Sequence, residues 1–384
     1  MLILVINSGS SSLKYQLREL TDDGVDTAEP VVGKGLIERI GQPGSAITDH
    51  AQALEHVAAE LEDVLDGRSI DAAGHRVVHG GERFSAPALV TPEVIRAIDR
   101  LAPLAPLHNP PAAQGLRALS AQWPDLPQVV VFDTSFHQTM PRQAWQYAVP
   151  TTWYTDYGIR RYGFHGTSHD LVTGLTAEHL NIPREEFRGI ILHLGNGASA
   201  TAIRDGRSVD TSMGYTPLAG LVMGTRSGDL DPSIVAHLCS AHGYTVEEID
   251  RVLNQESGLL GMTGHTDMRQ VLEAAESGDR EAEAGLQVAS YRLAKYIGGY
   301  HVAVDGAQAI VFTAGIGENA APFRARVLDR LGALGVEYSA EANTQRSDAV
   351  RTISTPESRI PVVVAPTDEE QAIAAATVEL ALRR

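Results

Sequence analysis

One cysteine, Cys239, is all that the 384 residues provide. A single thiol excludes an intrachain disulfide framework and suits a reducing compartment, and its setting in Ile234-Val235-Ala236-His237-Leu238-Cys239 reads as core rather than chemistry. Basic residues are also scarce, 31 against 48 acidic for a net charge of −17. That balance disfavours nucleic acid and acidic membrane surfaces as partners, so an anionic substrate has to be held by local arginines. No apolar run approaches the roughly 20 residues of a membrane span, and no basic segment precedes the N-terminal one. Neither a span nor a signal peptide is expected, and the chain is expected in the cytoplasm. Hydrophobic content of 43% over this length exceeds what one ordinary core needs, which points to two domains.

What is present is best read from the first residues. Leu2-Ile3-Leu4-Val5-Ile6 reads as a buried strand, Leu13, Tyr15 and Leu17 as one face of a second strand, and Asn7 to Ser12 as a tight loop between them. Small residues let backbone N–H groups approach an anion, Ser8, Ser10, Ser11 and Ser12 add hydroxyls, and Lys14 adds charge. Phosphate is the expected guest, with a plain serine-rich turn as the alternative. Gly189-Ile190-Ile191-Leu192-His193-Leu194-Gly195-Asn196-Gly197-Ala198 repeats this strand and small-residue loop about 187 residues later, which suggests an internal duplication.

Other stretches carry candidate chemistry. Leu54, Val57, Ala58, Leu61 and Leu65 have helical spacing, with Gly67 as a stop. Arg76 lies beside branched residues in a strand that runs into Gly80-Gly81, and needs an acidic partner or an anionic ligand. Thr91-Pro92-Glu93 opens a helix that the proline-rich segment Leu104 to Pro111 is expected to end. The strand Gln128 to Phe132 delivers Asp133 at its carboxyl end, where open α/β sheets bind ligands; a turn or helix cap is the rival role. His165 and His169 are spaced four apart at a loop-to-helix junction, without the glutamate or further ligands that zinc would want. Met213 to Asp231 is a long glycine-punctuated loop holding Pro217 and Arg226, and Asp231-Pro232-Ser233 caps a new helix. Ala309 to Thr313 leads through a glycine turn, Gly315 to Asn319, into a helix, and Thr367 to Glu370 reads as a capping box that leaves Glu369 unexplained.

Taken together, Asn7-Ser8-Gly9-Ser10-Ser11-Ser12-Leu13-Lys14, His75-Arg76-Val77-Val78-His79-Gly80-Gly81, Arg160 to His169, Met223-Gly224-Thr225-Arg226 and Phe312 to Asn319 resemble the acetate kinase family nearly end to end. The resemblance implies an α/β fold of two related actin-like domains with a nucleotide cleft between them, residues 1–135 plus 370–384 forming one and 136–369 the other. It implies reversible transfer of the ATP γ-phosphoryl group to acetate, giving acetyl phosphate and ADP, with Mg²⁺ (or Mn²⁺ in its place) and a homodimer. Propionate or butyrate kinase activity is the near alternative; an actin-like regulator or, from Gly315 to Ala320 alone, a nicotinamide enzyme are the distant ones. By motif, Arg76, Asp133, His165, Asn196 and Arg226 are implied at the reaction, with His165 and Arg226 stabilising the transition state. Arg76, Val78, Leu107, Phe164 and Pro217 are implied for the acyl substrate, and Asn7 and Glu369 for the metal. Lys14, His193, Leu194, Gly195, Asn196, Gly197, Asp267, Met268, Arg269, Gly315, Ile316, Gly317, Glu318 and Asn319 are implied for the nucleotide. The segment Gly264 to Arg269 is shorter than the family's, which leaves nucleoside preference open.

Overall fold

A computed structural model describes residues 1–9, 11–22 and 24–382. Ser10 of the first loop and the last two residues of the expected N-terminal domain, Arg383 and Arg384, lie outside the described residues. The chain divides into two compact units, Met1–Gln138 with Gly166–Ser168 and Asp368–Arg384, and Thr139–His165 with His169–Thr367.

The first unit is built on strands β1 (Leu2–Ser8), β2 (Ser12–Leu20), β3 (Asp26–Glu38), β4 (Ala72–Val77), β5 (Ala88–Leu89) and β6 (Gln128–Phe132), in the spatial order β3-β2-β1-β4-β6-β5. β1 is apolar at nearly every position because both faces are covered. Leu2, Leu4 and Ile6 pack with Ala53, Leu54, Val57 and Leu61 of the helix His50–Leu65, whereas Ile3 and Val5 pack with Ile373, Ala374 and Val378 near the C-terminus. Each such side chain contributes about 1.5–3 kcal/mol through burial, which ties β1 to both layers that cover the sheet.

The second unit contains β7 (Gly189–Leu194), β8 (Ala198–Arg204), β9 (Arg207–Thr211), β10 (Ala309–Thr313), β11 (Arg351–Thr352) and β12 (Val362–Val364), ordered β9-β8-β7-β10-β12-β11. In each sheet the first strand runs antiparallel to its hairpin partner and parallel to the next two, and the edge strand is antiparallel again. The repeated strand and loop are thus the visible part of a duplicated sheet. In both units the carboxyl ends of three parallel strands form one edge, where the sequence motifs collect.

Several local expectations change. Pro110 and Pro111 do not end a helix; they occupy the first turn of the helix Asn109–Gln122, where a missing N–H costs nothing. Gly315 to Asn319 is not an open turn, since Ala314–Asn319 is itself a short helix entered through Ala314 at φ 64°. The cap at the last helix, Glu369–Thr377, is Asp368 rather than Thr367: its carboxylate accepts from Gln371 N at 2.8 Å and also receives the fully buried Arg18 at 2.8 and 3.0 Å. A buried guanidinium needs such a partner, so the acid serves two ends at once. Cys239 is not core either; it is half-buried on the helix Ser233–His242, which buries none of its residues in this chain. Among the described residues no helix is long and apolar enough to cross a membrane.

Candidate functional site

Three parallel strands of the first unit place the charged candidates. Asn7 on β1 is in register with Arg76 on β4, which is in register with Val131 on β6, and Asp133 follows directly after β6 with its N–H on the Val77 carbonyl at 3.1 Å. Arg76 grips Asp133 bidentately, Nε to Oδ1 at 2.9 Å and Nη2 to Oδ2 at 2.6 Å, and Glu369 approaches Arg76 Nε at 3.7 Å. Burial pushes the Asp133 carboxyl above the usual carboxylate value, and the Arg76 guanidinium works against that rise. The Asp133 carboxylate in turn holds Arg76 more firmly protonated than a free arginine.

The rest of this set is arranged around the strand ends. Val78 lies one residue past the end of β4, so strand alternation with Arg76 does not extend to it, and it is half-buried. Leu107 is 64% exposed. Lys14, opposite Asn7 on β2, is ion-paired with Glu370; burial works upward on that carboxyl, but the lysine overcomes it and leaves its pKa below the ordinary value. Gly9 N donates to Ser12 O at 2.8 Å, and the buried His50 lies 2.9 Å from the Gly9 carbonyl through Nε2, so the described part of the loop is braced from within. Asn109, which sequence reasoning missed, clamps the backbone of His79 from both sides, at 3.2 Å to its N–H and 2.9 Å to its carbonyl.

In the second unit His165, Arg226 and the loop after β7 come together. His165 sits at φ 59°, a left-handed conformation that costs a non-glycine residue roughly 1–3 kcal/mol, at the start of the helix Gly166–His179. Its ring stacks on His193 with centroids 4.2 Å apart, and its Nδ1 is 2.9 Å from Ser199 Oγ. A Cβ on Gly197 would stand 2.6 Å from Arg226 Nη2 and 3.5 Å from His165 Nε2, so the absence of a side chain at 197 is what lets these two groups converge. Gly224 plays the matching part for Asn196: a Cβ there would meet Asn196 Oδ1 at 1.8 Å, and Gly224 N donates to Asn196 O at 2.9 Å.

Arg226 donates through Nη1 to the Pro217 carbonyl at 2.7 Å and, among the described residues, has no acid within ion-pair range. Burial pushes its pKa down, as expected for a guanidinium whose charge is not balanced by a carboxylate. The loop that carries it is tied to the helix Arg280–Ala303, with Arg292 on Ser227 O at 2.9 Å and Tyr296 on Asp229 Oδ2 at 2.6 Å. Phe164, next to His165, is buried.

Beside these lies a cavity of about 700 Å³. Of the residues singled out from sequence, Gly195, Asn196, Asp267, Met268, Arg269, Gly315, Ile316 and Asn319 line it, while His193, Leu194, Gly197, Gly317 and Glu318 do not. Asp267 caps the helix Met268–Glu276 and is held down to about 2 by hydrogen bonds from Arg269, which grips it at 2.5 to 3.1 Å. Glu318 accepts from Thr367 N at 3.1 Å, and burial raises its pKa. Leu272, Glu273, Glu276 and Arg346 also line the cavity and were missed. The first three follow Met268 and Arg269 at helical spacing and were legible had that helix been extended. Arg324, also missed, is buried and donates to the carbonyls of Gly317 and Glu318, both at 2.8 Å, which anchors the short helix at the cavity wall.

Among the described residues no group of three or more His, Cys, Asp or Glu side chains could hold a metal ion. Glu369 and Asn7 both border Arg76 and offer oxygen donors, a sparse set that fits Mg²⁺ bound chiefly through substrate phosphates and water better than a protein cage.

Comparison with known proteins agrees with the motifs. The family model described as "Acetokinase family" matches residues 2–375. An acetate kinase of Micrococcus luteus is 72% identical, covering 99% of both chains. Among solved structures, the acetate kinase of Porphyromonas gingivalis superposes with a TM-score of 0.93 at 39% identity, covering 99% of each chain. A propionate kinase of Francisella tularensis does so with a TM-score of 0.90 at 39% identity, covering 98% of each.

Proposed function

Since the chain belongs to the acetokinase family, we propose that it transfers the γ-phosphoryl group of ATP reversibly to the carboxylate of acetate, giving acetyl phosphate and ADP. The end-to-end identity to the Micrococcus luteus acetate kinase carries this reading. The two units have the actin-like α/β fold of that family.

Phosphoryl transfer calls for alignment and neutralisation of spread negative charge more than for covalent help. Arg226 and His165 fill that role: a half-buried guanidinium with no acidic partner is preorganised for charge on the phosphoryl oxygens, with Asn196 beside the same loop. Acetate is already ionised at neutral pH, so no general base is required, and Asp133 serves to orient Arg76, which binds the substrate carboxylate. Acyl recognition is assigned to Val78, Leu107, Phe164 and Pro217. The nucleotide takes the cavity bordered by Gly195, Asn196, Asp267 to Arg269, Gly315, Ile316 and Asn319, whose volume suits a small-molecule site, and Gly317 and Glu318 are assigned to it as part of the short helix at its wall. His193, Leu194 and Gly197 shape its phosphate loop, and Lys14 is assigned to a phosphate. Asn7 and Glu369 are the residues that would hold Mg²⁺, which when bound neutralises phosphate charge.

A homodimer in the cytoplasm completes the proposal. The helix Ser233–His242 is largely apolar, buries none of its residues fully within its own chain and leaves Ile234 45% exposed, with Val246 61% exposed just beyond it. Propionate is the second reading, favoured by the equal identity to the Francisella tularensis propionate kinase. Trapping acyl phosphate as the hydroxamate, with ATP, Mg²⁺ and acetate, propionate or butyrate in turn, tests the assignment. Acetate is expected to give the highest kcat/KM; no hydroxamate from any of the three would sink the reading, and a propionate optimum would pass it to the alternative.

A further inference from the structure

We propose that Ser199 is a positioning residue that sets the tautomer of His165, so that this imidazole presents an Nε2–H donor beside the Arg226 guanidinium. The inference rests on the role given to His165 above and extends it to a residue that touches no substrate.

Ser199 sits on β8, in register with His193 on β7, and is fully buried. Its hydroxyl lies 2.9 Å from His165 Nδ1 and 2.8 Å from His169 Nε2. A serine hydroxyl has one proton to give and two lone pairs to accept with, so at most one of two imidazole nitrogens at these distances accepts from it, and the other donates to it. The two alternatives have opposite consequences at the far side of the His165 ring. If Ser199 donates to His165 Nδ1, the neutral ring carries its proton on Nε2. If His165 Nδ1–H donates to Ser199, then Nε2 is either a bare lone pair or part of an imidazolium.

The surroundings of Nε2 decide between them. Nε2 and Arg226 Nη2 converge over the Cα of Gly197, and Arg226 has no acidic partner among the described residues. An imidazolium there would set a second positive charge against an unbalanced guanidinium. A bare lone pair could donate nothing to an anionic phosphoryl oxygen. Only the arrangement His169 Nε2–H to Ser199 Oγ–H to His165 Nδ1 leaves a neutral ring with a donor on the Arg226 side. The stack of His165 on His193, 23° from parallel, holds the ring plane while the hydroxyl holds the proton. Histidine tautomers are commonly fixed in this way by the partner of the opposite nitrogen.

The test is carried out on the full chain with ¹⁵N-labelled histidine at pH 7.5, with His165 identified by its loss in His165→Gln. Long-range ¹H–¹⁵N correlations distinguish the two tautomers and the imidazolium without substrate and without any change at Ser199. The wild type is expected to show His165 protonated on Nε2 alone. Ser199→Ala should bring in the Nδ1-protonated form and lower kcat by about 10- to 100-fold with KM for ATP and acetate within about twofold, since a wrong tautomer costs turnover rather than binding. Ser199→Thr, which keeps the hydroxyl, should restore both. A wild-type spectrum with the proton on Nδ1, or an unchanged tautomer and kcat in Ser199→Ala, overturns the proposal and leaves the family reading intact. Full activity in His165→Ala would instead overturn the role of His165 itself, and the proposal with it.

Discussion

Adding a single methyl group at Gly197 should nearly silence the enzyme without unfolding it. A Cβ at this position would lie 2.6 Å from Arg226 Nη2, 3.5 Å from His165 Nε2 and 3.6 Å from Arg226 Cζ. Nothing in the backbone conformation opposes alanine, because Gly197 is not among the glycines at positive φ. Restoring an ordinary contact of about 3.5 Å therefore requires the guanidinium to retreat by roughly 1 Å. The far end of a flexible side chain can do this at little cost, and removal of glycine freedom from the unfolded chain stabilises by about 0.4–1 kcal/mol. Stability of Gly197→Ala should thus equal or slightly exceed wild type. Catalysis should not, because a displacement of about 1 Å in a charge-stabilising group costs on the order of 100-fold in rate. Steady-state hydroxamate formation with saturating ATP and acetate, alongside a urea titration, measures both. A folded variant with kcat within about threefold of wild type would refute the idea that Arg226 acts from this position.

Four further outcomes follow from the same geometry. Arg226→Ala should lower kcat far more than it raises KM for ATP, by roughly 10³ or more as arginine fingers do, and a loss below about tenfold would remove the residue from the phosphoryl site. Glu369→Gln should raise the Mg²⁺ concentration needed for half-maximal rate while leaving the melting temperature near wild type, because Asp368 caps the helix; an unchanged Mg²⁺ titration would return Glu369 to its ion pair with Arg76 alone. Val78→Ala should raise the propionate-to-acetate ratio of kcat/KM, mainly through KM, by at most about 10- to 200-fold per methylene accommodated, and an unmoved ratio would exclude Val78 from acyl recognition. Burial pushes His75 and His79 down to about 4 in the folded chain, so between the ordinary value of 6.5 and 4 the unfolded chain binds protons that the fold does not. Stability is then full above that window and falls as pH drops through it, by up to about 1.4 kcal/mol per pH unit for each group; the urea midpoint should fall from pH 7 to pH 5, less steeply in His75→Asn, and equal slopes would contradict this.

Much of the architecture could be read from residues whose chemistry leaves few choices. β1 is apolar at consecutive positions because helices cover both faces, and the small-residue loops after β1 and β7 are local signatures of a duplicated sheet. Arg76 and Asp133 each stood out from the sequence as a charge at the end of an apolar strand, and they find each other across β4 and β6. What escaped depends on distant partners. Asp368 takes the cap from Thr367 because a buried Arg18, 350 residues away in sequence, also needs it. Pro110 and Pro111 signal a break or a first turn equally well, and only the packing of Ala112, Ala113 and Leu116 decides for the turn. Ser199 and Arg324 have no local motif, since their partners are two histidines from a distant segment and the carbonyls of a neighbouring helix. Arg346 reaches the cavity from a segment with no periodicity to read.

Phosphoryl transfer between a nucleotide and the carboxylate of acetate can be followed in the reverse direction. Purified chain is mixed with acetyl phosphate, ADP and Mg²⁺ and followed by ³¹P NMR. Loss of the acyl phosphate resonance should be matched one for one by the γ-phosphate of ATP, with orthophosphate at the level of the enzyme-free control. Orthophosphate appearing in place of ATP, or acetyl phosphate left unconsumed, would rule out this transfer.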